Sequence, residues 1–347
     1  VRNRDEDIEY SYFYSTHPDQ DSLAFNADSA VCDLDASKLE IFGVPFIKVA
    51  DSKIVPDSNK VYVLEDADIQ SFENAMVYID TLNEYHTLDS GQVDIISRYA
   101  YAGEARYQYV NALEDTFYID FNAFRMERFS EKKNDKRLFT MSDGYVMEED
   151  SFFISPRIQY YGDVELDARE NFLYFNGFVK IDLKGGFLSD WFKFDGRINP
   201  SDVKIEMADP RSSDGTPLVT GLHIADGDSA HLYSTFIALK EMELDFDVMK
   251  AKGVFGFNPY KNEFRISDED KENEESLAGN VLVLNDSTSE IRYEGAFEFV
   301  TNDPKSFEIK ASGNGEGNIK SGEYNFHTLL TAYFKIPGSL STQMADI

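Results

Sequence analysis

Cysteine is almost missing from this chain. Cys32 is the only one in 347 residues, so no internal disulfide can close and no thiolate metal cluster can form. That scarcity fits a reducing cytoplasm, and equally a large envelope or secreted protein whose core needs no covalent staple. Basic charge is also short, with 33 Lys and Arg against 64 Asp and Glu, a formal net charge of -31. A field of that sign repels phosphate backbones and anionic bilayers, so no nucleic-acid partner is expected and cations are favoured. No window reaches 18 uncharged apolar residues, and no direct membrane span is expected in this chain.

Catalytic signatures are equally sparse. The five histidines, His17, His86, His223, His231 and His327, form neither a His-x-x-x-His nor a His-Glu-x-x-His pattern. No Gly-x-Ser-x-Gly elbow and no phosphate-cradling Gly-x-x-x-x-Gly-Lys occurs. A glycosidase pair can be drawn from 64 carboxylates at will, and that abundance removes its diagnostic value.

What the chain has is aromatics and alternation. Its 28 Phe and 20 Tyr suit half-buried sheet positions. Val179, Ile181 and Leu183 alternate with Lys180, Asp182 and Lys184. Val203, Ile205 and Met207 alternate with Lys204 and Glu206, and Met242, Leu244, Phe246 and Val248 with Glu243, Asp245 and Asp247. Ile291, Tyr293, Gly295, Phe297 and Phe299 share another face. Such a pattern predicts an all-β fold with little helix, an elongated array of short strands arranged as a β-solenoid or as stacked antiparallel sheets. Residues 65–85 carry both helical and strand spacing; the β neighbours and the missing cap favour strand. A strand is expected to break at Gly103, and Gly313-Asn314-Gly315-Glu316-Gly317 reads as a turn. The segment Glu131 to Arg137 reads as a charged loop or boundary, and Asp268 to Glu275 as an acidic loop.

Two glycine-cornered units recur, Gly162 to Gly177 and Gly279 to Gly295, differing by one residue in length. Four regions follow: an N-terminal segment 1–35 that reads as part of something longer, an aromatic-rich β region 36–130, and β regions 140–265 and 276–337 that hold the two glycine units.

Two sets of residues are candidates for binding. Tyr99, Tyr101, Tyr107 and Tyr109 lie two apart on successive strand candidates, where they form either a sugar- or protein-binding strip or part of the core. Asp143, Glu148, Glu149 and Asp150, with Asp226 and Asp228, could offer oxygens to calcium, the one cofactor the composition admits; solvated turns explain them equally. The segment Gly43-Val44-Pro45-Phe46-Ile47-Lys48-Val49-Ala50, with the tyrosine-rich strands and glycine units, resembles very large β-rich bacterial envelope proteins. That resemblance implies an extracellular, periplasmic or envelope setting and carries over no functional residue. The expected function is a noncatalytic scaffold or protein-interaction component of a large envelope or secretion-associated assembly. The alternative is a carbohydrate-binding or glycoside-active module with an aromatic, acidic groove. An uncovered sheet edge or flat apolar patch would favour the first, and a concave groove with exposed aromatics the second.

Overall fold

The computed structural model describes residues 11–80, 83–128, 137–184, 189–225, 227, 229–272, 278–300 and 306–335. The expected loop at Glu131 to Arg137 lies almost wholly outside them. The chain is all-β, and its one α-helix among the described residues is the four-residue turn Glu269–Glu272 inside the expected acidic loop. Two compact units form. The first comprises Val1–Ile154, Tyr160–Gly177 and Asp195–Ser201, and the second Ser155–Gln159, Phe178–Phe194 and Asp202–Ile347.

An eleven-stranded sheet runs in chain order from Ile47–Val49 through Ser52–Val55, Phe72–Ile79, His86–Ser97, Ala100–Val110, Thr116–Glu127 and Phe139–Val146 to Ile158–Asp167, Tyr174–Ile181 and Phe192–Arg197, with Phe152–Ser155 beside Ile158–Asp167. Every pairing from Ile47–Val49 to Ile158–Asp167 is antiparallel. This is a meander of hairpins, the antiparallel member of the two expected architectures. The ambiguous stretch supplies the Phe72–Ile79 strand, with Phe72, Ala75, Val77 and Ile79 buried.

Aromatic rings fill the first unit. Tyr109 lies 5.1 Å from Phe152 and 5.8 Å from Phe175, and Tyr160 packs edge-on to Phe175 at 5.0 Å, ring centre to ring centre. Edge-to-face geometry of this kind adds to the gain from burial. The tyrosine hydroxyls are satisfied inside: Tyr109 donates to the Ile154 carbonyl at 2.8 Å and Tyr160 to the Asp163 carbonyl at 2.6 Å.

In the second unit, seven antiparallel strands follow the order Lys204–Met207, Gly253–Asn258, Glu263–Ser267, Val281–Asn285, Glu290–Phe297, Phe307–Asn318 and Glu323–Phe334. A three-stranded sheet, Leu232–Ala238, Val219–Ile224 and Phe246–Lys250, packs through Phe236 onto Phe255 and Phe264, at 6.2 and 6.0 Å. Val203, Ile205, Met207, Ile291, Tyr293 and Phe297 are buried as their alternation predicts.

Three local expectations are corrected. Gly103 does not end a strand; it kinks the interior of Ala100–Val110 at φ +139, and the turn falls at Arg98 and Tyr99. Gly313 to Gly317 is strand, because a Cβ at Gly315 would meet the Phe326 ring at 2.6 Å and one at Gly317 would meet the Tyr324 ring. The glycines make room for aromatics across the ladder. The alternation at 242–248 fails: Met242 and Leu244 are exposed, Leu244 by 89%, Asp245 is buried, Phe246 and Asp247 are both half-buried, and only Val248 is fully buried as expected. Asp245 turns inward because Oδ2 accepts from the Tyr233 hydroxyl at 2.6 Å and from the Met242 amide at 2.8 Å.

The two glycine units share one device. A Cβ on Gly162 would lie 2.6 Å from the Gly177 Cα, and one on Gly295 would lie 2.7 Å from the Gly279 carbonyl. Gly162, Gly279 and Gly295 all have φ between +102 and +139. In each unit the glycines allow neighbouring strands to approach where a side chain would block them.

Candidate functional site

The Glu323–Phe334 strand closes the seven-stranded sheet. It pairs with Phe307–Asn318 over twelve residues without a register shift. The Lys335 amide donates to the Ser306 carbonyl at 2.9 Å, and hydrogen-bonded pairs alternate along an antiparallel ladder. The backbone groups of residues 333, 331, 329, 327, 325 and 323 therefore face the neighbouring strand. Those of Tyr324, Phe326, Thr328, Leu330, Ala332 and Phe334 point away from it, and no further strand pairs there among the described residues.

The same six side chains share one face. Near the start of the strand that face is covered: Phe326 packs on Phe297 at 5.5 Å and Phe299 at 5.6 Å, and the Tyr324 hydroxyl accepts from Ser234 Oγ at 3.0 Å. Toward the end the cover stops, leaving Leu330 60% and Phe334 69% exposed, with half-buried Phe307 and Ile309 beside them. On the opposite face Leu329 is 74% exposed. Natural edge strands are usually blunted by lysine, proline, bulges or brevity. Glu323–Phe334 has no Lys, Arg or Pro, no bulge, and Glu323 as its single charge. The sequence reading did not single this strand out, although its uncharged run from Tyr324 to Phe334 is the signal that could have done so.

The four tyrosines do not make a common surface. Tyr101, Tyr107 and Tyr109 share the inward parity of Ala100–Val110, whereas Tyr99 sits in the preceding turn, 45% exposed. Tyr101 is buried, its hydroxyl 2.9 Å from Ser52 Oγ and 3.0 Å from Thr140 Oγ1. Thr140 in turn donates Oγ1–H and its amide to the two oxygens of Asp51, at 2.6 and 2.9 Å. Burial raises the Asp51 carboxyl above its ordinary value despite these bonds. Tyr107 lies half-buried between His86 and Phe121.

Of the acidic candidates, Asp143 is exposed and paired with Arg125. Glu148, Glu149 and Asp150 form a 3-10 turn in which Asp150 accepts the Met147 amide at 2.8 Å. Asp226 and Asp228 lie outside the described residues. Among the described residues, no group of three or more His, Cys, Asp or Glu is placed to hold a metal ion. No helix among them is long and apolar enough to cross a membrane.

One arrangement has the connectivity of a nucleophile, a base and an orienting acid. His223 Nδ1 lies 2.8 Å from Asp247 Oδ1, and Nε2 lies 2.8 Å from Thr235 Oγ1. Strand register makes it: His223 stands opposite Asp247 on one side, and Thr235 is diagonal to it on the other. Lys240 and Lys250 both pair with Asp247. Burial would raise the Asp247 carboxyl, but the two lysines outweigh it and hold it below the ordinary range. Burial also lowers the His223 imidazole, so it is neutral, with Nδ1–H donated to Asp247 and Nε2 accepting from Thr235. Chemistry needs a substrate at the hydroxyl, yet the His223 side chain is sealed from water and Thr235 is buried. The chain of bonds ties three strands together. A second sealed group, Asp286, accepts from Arg157 Nη1 at 3.0 Å and from Asn262 Nδ2 at 3.2 Å, while Arg157 lies over the Phe264 ring at 4.8 Å.

Comparison with models of protein families, with curated proteins and with solved structures finds no match for this chain.

Proposed function

We propose that this chain is a noncatalytic scaffold or interaction component that holds a partner by strand addition along Tyr324–Phe334. The carrying observation is an edge that pairs with no further strand among the described residues: six residues direct donors and acceptors outward beside exposed Leu330 and Phe334. Backbone pairing would supply affinity, and alternate side chains of the incoming strand would select for apolar groups on the Leu330–Phe334 face. The partner is another protein of a larger assembly, presenting an extended, alternately apolar segment. A bacterial envelope or extracellular setting belongs to the same proposal and is supported by the aromatic load and near-absence of cysteine. The carbohydrate reading is less favoured, since Tyr101 and Tyr109 spend their faces and hydroxyls inside the core.

Proline distinguishes the two sides of the strand. Thr331→Pro removes an amide that faces the ladder and is expected to destabilise the unit by about 3 kcal/mol. Ala332→Pro removes an outward amide and is expected to cost less than about 1 kcal/mol while blocking strand addition. Amide exchange measured by NMR with a soluble peptide of alternating valine and threonine should show new protection at the even-numbered residues from 324 to 334, lost in Ala332→Pro. No protection at those amides, or equal protection in the variant, would overturn the proposal.

A further inference from the structure

A cavity of about 450 Å³ opens in the first unit, inside the size range of small-molecule sites. Its wall is mainly apolar: Phe13, Phe25, Leu39, Ile41, Val63 and Ile69. The Phe13 and Phe25 rings lie nearly parallel with centres 6.0 Å apart, on the hairpin formed by Ser11–Tyr14 and Ala24–Ala27. The Lys38–Phe42 and Lys60–Val63 strands, which pair antiparallel, bring Leu39, Ile41 and Val63 to the cavity.

Its polar groups come from Tyr14, Ser15, Thr16, His17, Gln20 and Asp66. The Gln20 amide is committed, donating to the Ala67 carbonyl at 2.5 Å. His17 and Asp66 also line the cavity, and among the described residues neither the His17 ring nor the Asp66 carboxylate has a hydrogen-bonding or ionic partner. No lysine or arginine lines the wall. An exposed carboxylate lining the same cavity as two aromatic rings, in a chain of formal charge -31, disfavours an anion and attracts a cation.

We infer that the cavity is a binding site for a small apolar amine, its aromatic or aliphatic body held among Phe13, Phe25 and Ile41 and its ammonium group directed to Asp66. The site is independent of the strand edge, and either assignment can fail alone.

Three probes of nearly equal size separate charge from shape: phenethylamine, phenethyl alcohol and phenylacetate. Titration calorimetry on the full chain, with NMR shifts followed at Phe13 and Ile41, is expected to give saturable binding of the amine. It should bind about fivefold tighter than the alcohol, with phenylacetate weakest. Asp66→Asn, at an exposed turn, should bring the amine to the level of the alcohol without weakening the alcohol. Val63→Phe adds a ring to the wall beside Leu39, narrows the cavity and should weaken binding of both. The inference is overturned if no probe saturates, if amine and alcohol bind alike to the unaltered chain, or if Asp66→Asn leaves their ratio unchanged.

Discussion

Asp286 is a carboxylate whose side chain is sealed from water, and it stays ionised because its neighbours replace the solvent it lost. Burial alone would raise its pKa; Arg157, the Lys184 amide and Asn262 outweigh that and depress it. A depressed folded value contributes stability above the unfolded value near pH 4, and that contribution is lost as pH falls through the folded value. Arg157→Met strands the charge and is expected to cost about 3–5 kcal/mol in chemical denaturation at neutral pH. A cost below about 1 kcal/mol would show that Asp286 is not sealed as described. The buried imidazoles of His86 and His223 act in the same direction at higher pH. Both are lowered, chiefly by burial, so the unfolded chain takes up protons first as pH drops below about 6.5. Stability should decline between about pH 7 and pH 5, by at most about 1.4 kcal/mol per pH unit for each histidine. His223→Gln keeps a donor and an acceptor and should flatten part of that decline; an unchanged slope would mean that His223 does not titrate on unfolding.

At the level of the strand, glycine means two different things in this protein. Gly315 faces the Phe326 and Tyr293 rings, so Gly315→Ala should force the rings aside and cost about 1–3 kcal/mol. Gly256, also inside a strand, has open space where a Cβ would stand, and Gly256→Ala should gain about 0.5–1 kcal/mol by restricting the unfolded chain. Urea midpoints moving in opposite directions are the expected result; two losses would mean that Gly256 is not as open as its surroundings indicate. This contrast explains what could be read in advance. Alternation at Val203 to Met207 and at Ile291 to Glu294 was legible because each inward residue is large and each outward one polar, so a half-buried strand is the simplest account. Gly313 to Gly317 was not, since glycine signals a turn locally and only the opposing rings of Tyr324 and Phe326, at distant positions, make it strand. Spacing gave the pairs Tyr99 with Tyr101 and Tyr107 with Tyr109 a face each, but could not say whether either face looks inward or that Tyr101, Tyr107 and Tyr109 share one strand. The His223 bonds come from cross-strand register over 12 and 24 residues, which no local pattern encodes. The open edge needed the sheet order before its uncharged sequence had meaning.

Across the whole chain, 64 acidic residues against 33 basic ones make repulsion the dominant long-range electrostatic effect. The ion pairs that oppose it are mostly exposed, such as Arg106 with Asp120 and Lys310 with Glu308, and pairs of that kind contribute little. Salt screens both, but the excess of like charges means that screening should raise stability. Sodium chloride increased from low ionic strength to about 0.15 M, where the screening length falls to about 8 Å, is therefore expected to raise the urea midpoint. A fall would show that attractive pairs outweigh the surplus. The same titration separates general screening from an ordered cation site. If the acidic surface acts only as a diffuse field, calcium and magnesium at equal concentration should stabilise equally and without saturation. A saturable gain confined to calcium would instead require a fixed set of oxygen ligands, because calcium accepts the irregular, higher coordination that magnesium does not. Asp143→Asn and Asp150→Asn would then locate it: loss of the calcium-specific gain in either variant assigns the ion to that acidic segment, and its survival in both assigns it elsewhere.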